Sequence, residues 1–575
     1  MSEQKKCKKC GNNFVVEDDD LGFYKRISPT YDGKTFAIPS PTLCPDCRQI
    51  RRLIWRNERA LYKRKSDKSG KEILSVYSSD RTDIKVYSVP EWWADDWDPC
   101  DYGRDFDFSR PFFKQFHELM KAVPMMALRN TRSENCEFVN YTAECRNCYM
   151  SMVVYNETEN ALFSYWIYNS KDCVDCNFVD HDENCYELNT SNHNYNCRNS
   201  LRINDCQSCY FCVDLTACSD CVLCTNLNHK QYCIRNKQYS KQEYEDELKN
   251  FNFGSYREVE KLKKELDESS KDKIVKFANL VNCENCTGDD LLECKDLKNC
   301  FSCIRHENAK YVLGGSQDSK NVWDSMGGTY EWVLECNHTG WGSNLMFCSG
   351  TLFCSNMTYC DNCQNSRDCF GCVGLKSKQF CVFNKQYSKE KYQKLVAKII
   401  EHMQDTHEWG EYYPSELAPF DYNESLANLY YPKSKKEVEA SGYKWRDDDS
   451  SNKYIGPIHE PKDDIKDYIN NDDERQKLLE GVLKCEDSGR PYKIVPQELA
   501  FYLQHGIPIP RKHYEIRFTD RFTKRNPRHL YHRECMCEET GHDHTGKCTN
   551  EFETTYDPNR QEKVYCESCY QKSIM

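Results

Sequence analysis

CRNSLRINDCQSCYFCVDLTACSDCVLCTNLNHKQYC, residues 197–233, places a cysteine at every twelfth position and adds further cysteines between them. The same interval continues toward the N-terminus, and a second series follows later in the chain. The first series is Cys173, Cys185, Cys197, Cys209, Cys221 and Cys233, and the second is Cys336, Cys348, Cys360 and Cys372. A fixed short period is typical of a solenoid, whose coils stack equivalent side chains in columns. The interval therefore predicts a β-solenoid in which twelve residues form one coil or half of a larger one.

The solenoid is predicted to occur twice, because a longer motif also repeats. KQYCIRNKQYSKQEY (230–244) recurs as KQFCVFNKQYSKEKY (378–392), 148 residues later. In each copy a serine, Ser240 or Ser388, precedes a charged segment as the predicted N-cap of a helix. Such helices would cover the open edges of a solenoid. The predicted segments are solenoid 1 at 131–234, capping helices at 235–280, solenoid 2 at 281–382 and a capping helix at 383–410.

The 27 cysteines between residues 136 and 381 include ten C-x2-C pairs, a spacing that also occurs in metal sites. A metal array needs pairs that converge in fours, whereas the regular feature here is translation by twelve residues. Buried cysteine behaves as a small apolar residue and packs well in columns. The pattern favours packed free thiols, with zinc or iron–sulfur at some pairs and disulfides as the alternatives. If any of these cysteines bind a metal ion, the set that is most favourable for it is Cys283, Cys286, Cys300 and Cys303.

A four-cysteine set near the N-terminus predicts a structural zinc site. Cys7-x-x-Cys10 is followed after 33 residues by Cys44-x-x-Cys47. Two such pairs supply the four soft ligands of a tetrahedral Zn²⁺. Short β-prone runs lie between the pairs, and a proline follows the third ligand where the first turn of a helix tolerates it. Knuckle, hairpin and ligands at a helix N-terminus form the treble-clef or zinc-ribbon arrangement, which we predict for residues 1–90.

The predicted helix after Cys44 carries arginines along one side. Its apolar residues fall on the opposite side at helical periodicity, so we expect the arginine side to face solvent. Arginine with an interleaved aromatic suits phosphate contact and base stacking. The alternative is a solvated face, or pairing with the acidic segment 91–108. The predicted nucleic-acid-binding residues here are Arg48, Arg51, Arg52, Trp55, Arg56 and Arg59.

The C-terminal region repeats this module without its first zinc site. PSPTLCPDCRQIRRLIWRNERALYKR (39–64) aligns without a gap with PIPRKHYEIRFTDRFTKRNPRHLYHR (508–533). We expect the first site to be metal-free, because its four ligand positions hold Cys485, Ser488, His513 and Ile516. The arginines are retained, which favours a use for them. The corresponding predicted nucleic-acid-binding residues are Arg517, Arg521, Arg525 and Arg528.

A second zinc site is predicted further along this C-terminal module, which we place at 481–575. Its predicted ligands are Cys537, Cys548, Cys566 and Cys569. The sequence leaves one ligand open, because Cys537 could be replaced by Cys535, His542 or His544. The chain is thus expected to hold two Zn²⁺ ions, one at each end, each closed by four protein ligands.

The composition indicates the cellular compartment in which the protein is expected. The chain of 575 residues has a net charge of −12 and 38 cysteines. No apolar run reaches the length needed to span a bilayer, and the N-terminus lacks the apolar segment of a signal peptide. We therefore expect no membrane partner and a reducing cytoplasm, where thiols are metal ligands or packed groups. Residues 91–130 are predicted as an acidic, aromatic connector with a helix, and residues 411–480 as an acidic linker.

Nearly the whole chain resembles a family of zinc-binding, Cys-rich proteins found in small-genome candidate-phylum bacteria. The resemblance rests on the terminal treble clefs, on NERALYKR (57–64) and YGRDFDFSRPFFKQF (102–116), and on the repeated NKQYSK. It implies bound zinc and a bacterial cytoplasm, and it implies no particular activity.

The sequence contains no catalytic motif of a familiar kind. A P-loop, G-x-S-x-G and H-E-x-x-H are all absent. We therefore expect a non-enzymatic protein. The first hypothesis is binding of RNA, the ribosome or DNA by the arginine helices of both modules, with the solenoid as spacer. The alternatives are a protein-interaction scaffold that uses the solenoid faces, and a thiol-rich metal or redox protein.

Overall fold

The computed structural model describes residues 2–271, 273–314, 317–447 and 454–574. Two parallel β-solenoids form the middle of the chain, and a Cys-rich module lies at each end. The predicted mainly β fold with two solenoids of twelve-residue period is confirmed. The helices are α1 (Asp18–Ile27), α2 (Pro45–Leu53), α3 (Val89–Trp93), α4 (Phe112–Ala122), α5 (Lys241–Leu248), α6 (Tyr256–Ser269), α7 (Lys389–Asp405), α8 (Leu426–Tyr430), α9 (Lys435–Ala440), α10 (Asp472–Glu480), α11 (Pro496–His505), α12 (Tyr514–Thr523) and α13 (Glu567–Ile574).

The two solenoids contain most of the strands. The strands of solenoid 1 are Asn130–Thr131, Asn140–Ala143, Met152–Tyr155, Glu159–Leu162, Tyr165–Tyr168, Lys171–Val174, Asn177–Asp180, Glu183–Asn192, Arg198–Asn204, Gln207–Tyr210, Val213–Thr216, Ser219–Val222, Thr225–Asn228, Gln231–Ile234 and Lys237–Gln238. Those of solenoid 2 are Leu280–Val281, Glu284–Leu292, Lys295–Ile304, His306–Leu313, Ser319–Met326, Tyr330–Asn337, Gly342–Met346, Ser355–Thr358, Arg367–Phe370, Gln379–Val382 and Lys385–Gln386.

Outside the solenoids, the remaining strands form short pairs. The antiparallel pairs are Glu3–Lys6 with Asn13–Val16, Thr30–Tyr31 with Lys34–Thr35, Tyr62–Lys65 with Glu72–Ser75, Leu483–Lys484 with Pro491–Tyr492, and Tyr531–Glu534 with Glu551–Thr554. The parallel pairs are Val86–Tyr87 with Met125–Met126 and Ile274–Lys276 with Lys563–Tyr565. The last of these joins the C-terminal module to the segment that enters solenoid 2.

One coil of the solenoid is one repeat of twelve residues. Cys209 pairs with Cys221 in a parallel register, and Cys221 pairs in turn with Cys233. In solenoid 2, Cys369 pairs with Cys381 in the same way. The coil is therefore complete in twelve residues and is not half of a larger one.

Each coil turns at four corners, because a residue in the left-handed region occurs at every third position. The corners of one coil have φ between 51° and 57° and are Asp172, Asp175, Phe178 and His181. The residue after each corner points inward and is at most 1% exposed; in this coil these residues are Cys173, Cys176, Val179 and Asp182. Asparagine and aspartate tolerate the left-handed region better than other non-glycine residues, which explains their frequency at the corners.

The narrow interior of the coil explains its cysteines. Inward thiols donate to the backbone carbonyl two residues earlier, as Cys173 and Cys209 do with S···O distances of 3.5 Å. Serine takes the same role at Ser200, whose hydroxyl donates to the carbonyl of Arg198 at 2.7 Å. An inward side chain must be small, and it gains from donating to these carbonyls. Cysteine meets both conditions and also adds apolar volume.

Among the described residues, the interior cysteines form no disulfide bonds. Burial raises the pKa of Cys294 and of Cys354 to about 12, so both stay protonated and unreactive at neutral pH. The set expected as the metal exception, Cys283 with Cys286, Cys300 and Cys303, forms no group of converging ligands among the described residues. Three thiols do converge in the first coils of solenoid 1, namely Cys136, Cys145 and Cys148.

One inward position of solenoid 1 holds a carboxyl group, Asp182, and its protonation is coupled to folding. Burial raises its pKa to about 8, although two N–H groups of Asn194 donate to its Oδ1 at 2.8 and 3.0 Å. The unfolded chain ionises the same group at a pKa of about 3.9. Because the folded pKa is the higher one, this carboxyl lowers the stability progressively as the pH rises from about 4 to about 8.

We expect Asp182→Asn to raise the free energy of unfolding at pH 8 and to change it little at pH 4. The difference should grow by about 1.4 kcal/mol per pH unit between these limits. Asn194 shows that an amide fits this column, since its Nδ2 donates to the carbonyl of Ile203 at 3.0 Å. Denaturant titrations at pH 4, 6 and 8 measure the effect, with Asp205→Asn at an exposed corner as the control. A gain that is the same at all three values would contradict the coupling.

Helices cover the last coil of each solenoid, as predicted. The side chain of Ser240 accepts a hydrogen bond from Glu243 N–H at the start of α5. Ser388 accepts in the same way from Lys391 N–H at the start of α7. Helix α7 then packs along the strand Gln379–Val382, so that the final strands of solenoid 2 are not left open.

The predicted acidic linker at 411–480 differs from the structure over much of its length. Tyr412, Tyr413 and Tyr422 are at most 1% exposed. Tyr413 stacks on Phe116 of α4 with ring centroids 4.9 Å apart, so this segment belongs to the core. The acidic side chains set the composition, but the buried aromatic residues between them set the structure. Residues 448–453 of the predicted linker lie outside the described residues.

Candidate metal centres and arginine interfaces

The four cysteines predicted as ligands near the N-terminus converge. Cys7 and Cys10 lie in the turn of the first hairpin, Cys44 is the N-cap of α2, and Cys47 lies in its first turn. Their Sγ atoms lie within 4.8 Å of one another, and Cys10 Sγ is 3.7 Å from Cys44 Sγ. A tetrahedral Zn²⁺ with bonds of about 2.3 Å separates its sulfur ligands by about 3.8 Å. The set is therefore spaced as a metal ion requires.

Contacts within this set favour the ionised form of a thiol. A hydrogen bond from the Cys47 thiol lowers the pKa of Cys44, and the backbone N–H of Cys47 adds to this against the opposing effect of burial. The positive end of the α2 dipole acts in the same direction. Because the thiolate is the form that binds metals, this end of the helix is prepared for one.

The C-terminal set of converging cysteines differs from the prediction at one position. Cys535, Cys548, Cys566 and Cys569 lie within 4.8 Å of one another, with Cys548 Sγ 4.0 Å from Cys566 Sγ. Cys535 therefore takes the place predicted for Cys537. One residue separates these two cysteines, so spacing alone does not choose between them. In the structure, Cys535 lies beside the other three ligands, and its Sγ accepts a hydrogen bond from Cys566 N–H at 3.2 Å.

Cys537 belongs to a second group of possible ligands. This group contains Cys537, His542, His544 and Cys569, again within 4.8 Å of one another. The two histidines that were possible replacements for Cys537 thus lie beside it, outside the four-cysteine set. Cys569 is common to both groups.

In the C-terminal module, the residues at the positions of the first zinc site form hydrogen bonds with backbone N–H groups. Ser488 N–H donates to Cys485 Sγ at 3.5 Å, and the His513 side chain accepts from Glu515 N–H as the N-cap of α12. Burial lowers the pKa of His513 to about 4, which keeps the imidazole neutral for this role. That this site is metal-free remains a prediction.

An acidic group in the N-terminal module also brings three ligand-type side chains together. Glu17, Asp19 and Asp20 converge, but they do so around Lys310 of solenoid 2. The Lys310 Nζ lies 2.7 Å from Glu17, 3.2 Å from Asp19 and 2.9 Å from Asp20. Lys298 of the same solenoid adds a second ammonium group 3.1 Å from Asp19, so this acidic group serves as a docking contact.

The expected solvent exposure of the arginine helices is wrong. Arg48 and Arg52 are 2% and 1% exposed, and both bind Asp324 of solenoid 2, at 2.9 and 3.1 Å. Arg52 also lies 3.0 Å from Glu335, and Arg51 pairs with Glu335 at 3.1 Å. The polar side of α2 therefore faces a solenoid. Its apolar side packs into the core, and neither side faces water.

The other residues predicted to bind nucleic acid at this end are also engaged within the protein. Trp55 is 5% exposed in the core. Arg56 pairs with Glu58 at 2.5 Å, and both side chains are at most 3% exposed. Arg59 pairs with Glu515 of the C-terminal module at 2.9 Å, so this arginine links the two modules.

The arginine helix of the C-terminal module makes the equivalent contact with solenoid 1. Arg517 and Arg521 both bind Asp175, at 2.5 and 2.7 Å. Arg521 also donates to the carbonyl of Phe163 at 3.1 Å. Both arginines are 5% exposed, so they too are removed from solvent.

The two remaining predicted arginines reach solenoid 2. Arg525 pairs with Asp290 at 2.6 Å and donates to the Ser302 hydroxyl at 3.2 Å. Arg528, which is 9% exposed, donates to the same hydroxyl at 3.4 Å. The C-terminal module therefore contacts both solenoids.

Each terminal module binds the solenoid that is more distant in the sequence, and both do so through arginines that pair with a buried aspartate. The N-terminal module uses Asp324 of solenoid 2, and the C-terminal module uses Asp175 of solenoid 1. Both aspartates are corner residues with φ of 53° and 55°, and both are fully buried. They lie 149 residues apart, close to the repeat of 148 residues between the solenoids. The helix and the aspartate that it binds therefore both occur twice, which gives the retained arginines a use in docking.

Fold and sites together define a Cys-rich double β-solenoid protein with candidate metal centres at both ends. The chain matches no protein-family model, and no curated protein sequence matches it. Within the described ranges, no helix is both long enough and apolar enough to cross a bilayer.

Proposed function

We propose that this chain is a non-enzymatic protein-interaction scaffold whose terminal modules are held in shape by structural zinc. The observation that carries the proposal is the inward use of the arginines, since both arginine helices bind buried solenoid aspartates. The modules then act as clamps that fix the two solenoids. The outer faces of the solenoids remain as the surface for a partner.

Zinc suits the two four-cysteine centres. Four thiolates in a tetrahedral arrangement favour Zn²⁺, and four protein ligands leave no open position for a reactive water. This is the arrangement of a structural site. The metal would fix the hairpin turn to the helix N-terminus at one end and the C-terminal ligands to α13 at the other.

A stacked aromatic pair on solenoid 2 is the surface that we assign to the partner. Trp341 and Phe353 are 56% and 52% exposed, lie on successive coils, and stack with ring centroids 4.9 Å apart. Adjacent large apolar side chains on a surface mark interaction sites. The chain as a whole carries a net charge of −12, which favours a positively charged partner. The proposed partner is therefore a protein that places an apolar side chain on this stack from a positively charged surface.

The double variant Trp341→Ser/Phe353→Ser tests this surface. Immobilised, nuclease-treated full chain should retain a basic protein from a cell extract, and the double variant should bind that protein at least about tenfold more weakly, equivalent to about 1.4 kcal/mol. Tyr195→Ser is the matched control, because it removes a 48% exposed aromatic ring from solenoid 1. Circular dichroism verifies that all three proteins are folded. Equal affinity of wild type and double variant would exclude this surface.

Binding of RNA, the ribosome or DNA by the arginine helices is untested and stays the competing hypothesis. The salt dependence of the affinity of the purified full chain for added RNA or DNA tests it. Because these arginines are ion-paired within the protein, except Arg528, which is buried beside Ser302, we expect no salt-sensitive binding near physiological ionic strength. Each phosphate contact adds about 0.7 to 0.9 to the slope of log affinity against log salt. A slope of several units for the wild-type chain would restore the nucleic-acid hypothesis and count against the scaffold.

A further inference from the structure

We propose that the C-terminal module binds two metal ions that share the thiolate of Cys569. Two tetrahedral ions need eight ligand positions, and one bridging thiolate reduces the number of side chains to seven. The module supplies these seven in two sets that have Cys569 in common. The sets are Cys535, Cys548, Cys566 and Cys569, and Cys537, His542, His544 and Cys569, with the ligand atoms of each set within 4.8 Å of one another.

His544 is oriented as a metal ligand. Its Nδ1 lies 2.7 Å from the carbonyl oxygen of Gly546, which makes Nδ1–H the donor and leaves a lone pair on Nε2. The Nε2 atom is buried and has no hydrogen-bond partner among the described residues. An unpaired buried nitrogen costs free energy. A histidine that binds a metal through one nitrogen usually donates its other N–H to a carbonyl or carboxylate, and this ring has that arrangement.

Cys537 and His542 complete the second site. Cys537 is fully buried, and its Sγ lies 3.0 Å from His542 Nδ1. The segment between Cys537 and Cys548 has no helix, no strand and no buried side chain, yet it returns both histidines to the four-cysteine set. A loop without an apolar core needs another cross-link to hold such a shape. A metal ion bound by Cys537, His542 and His544 supplies it.

Charge also favours the shared arrangement. The seven side chains include five cysteines, which carry five negative charges as thiolates. One divalent ion offsets two of these charges, whereas two ions offset four and leave a single net charge. Cys569 is suited to the bridging position because it lies in the first turn of α13, where the positive end of the helix dipole stabilises the negative sulfur.

Cadmium NMR of the full chain tests both the number of ions and the bridge. Wild type loaded with ¹¹³Cd²⁺ under reducing conditions should bind three ions per chain: one at the N-terminal site and two in the C-terminal module. Two of the three signals should be split by coupling through the Cys569 sulfur, and one of these should have the shift of a mixed sulfur and nitrogen site. Three signals without splitting would overturn the shared thiolate, and two ions per chain would overturn the second site.

Two variants assign the signals. Cys537→Ser/His544→Ala should lose one ion per chain and the splitting, while both four-sulfur signals persist. Cys10→Ser is the matched control, because it should remove the N-terminal ion and leave the coupled pair intact. An unchanged ion count in the first variant would overturn the second site. A wild-type chain that binds no metal would instead overturn the structural zinc of the proposed function, so the two failures are distinguishable.

Discussion

Replacing Arg52 by alanine should lower the free energy of unfolding by about 3–5 kcal/mol, because it leaves a buried cluster of ion pairs with one positive charge too few. Asp324 would keep Arg48 and Glu335 would keep Arg51, but one buried negative charge would stay uncompensated. Arg52 Nη1 lies 3.1 Å from Asp324 Oδ1 and 3.0 Å from Glu335 Oε2, and these three side chains are at most 6% exposed. Truncation removes the positive charge but leaves both carboxylates away from water. Denaturant unfolding followed by near-ultraviolet circular dichroism measures the loss.

An exposed ion pair provides the control for Arg52→Ala. The pair of Arg235 with Glu265 is 53% and 35% exposed, so Arg235→Ala should cost less than about 1 kcal/mol. Arg521→Ala should cost about as much as Arg52→Ala, because Arg521 makes the equivalent contact with buried Asp175. If Arg52→Ala is no more costly than Arg235→Ala, the arginines do not hold the modules in place.

The twelve-residue coil is predictable from the sequence because one residue type marks the same inward position in successive coils. The three-residue spacing within a coil is visible only in part, as the C-x2-C pairs, because the inward positions of one coil as a whole hold different residue types. In one coil these are Cys173, Cys176, Val179 and Asp182. They share burial and a preceding left-handed residue, and neither property is visible as a repeated letter.

The arginine interfaces show the limit of helical periodicity as a guide. Periodicity separates a polar side of α2 from an apolar side, but it does not say what the polar side faces. Arg48 meets Asp324 across 276 positions of the chain, a separation that no local pattern reports. The signal that could have found it is the pair of duplications, which places Asp175 and Asp324 at matching corners.

The metal ligands were predictable to the extent that their spacing fixes them. Each C-x2-C pair lies on one turn of chain, so Cys7, Cys10, Cys44 and Cys47 could converge in only a few ways, and they do converge. At the other end, the position predicted for Cys537 is occupied by Cys535. A contact with the backbone, and not the spacing, decides between them.

Cys44→Ser should have the second large effect, which is the loss of one metal ion per chain and local unfolding of the first hairpin. Structural zinc contributes about 10–16 kcal/mol of apparent binding free energy to small zinc-dependent units. The hairpin has little else to stabilise it, since Glu3–Lys6 contains no buried residue and Asn13–Val16 contains two. Helix α2 is held differently, by the arginines that bind Asp324.

The control for Cys44→Ser is Cys485→Ser, which changes a buried thiol at the position equivalent to Cys7, in the C-terminal copy of the site where no zinc is expected. Metal content per chain should fall only in Cys44→Ser, and hydrogen exchange should accelerate in the hairpin while the solenoid strands stay protected. An unchanged metal content would contradict the zinc centre, and lost protection in the strands would show that the metal supports more than its module. Comparison with Arg52→Ala separates the effect of the metal ion from that of the arginine contacts. Cys44→Ser should release the hairpin and keep α2 on solenoid 2, whereas Arg52→Ala should loosen α2 from solenoid 2 and keep the metal.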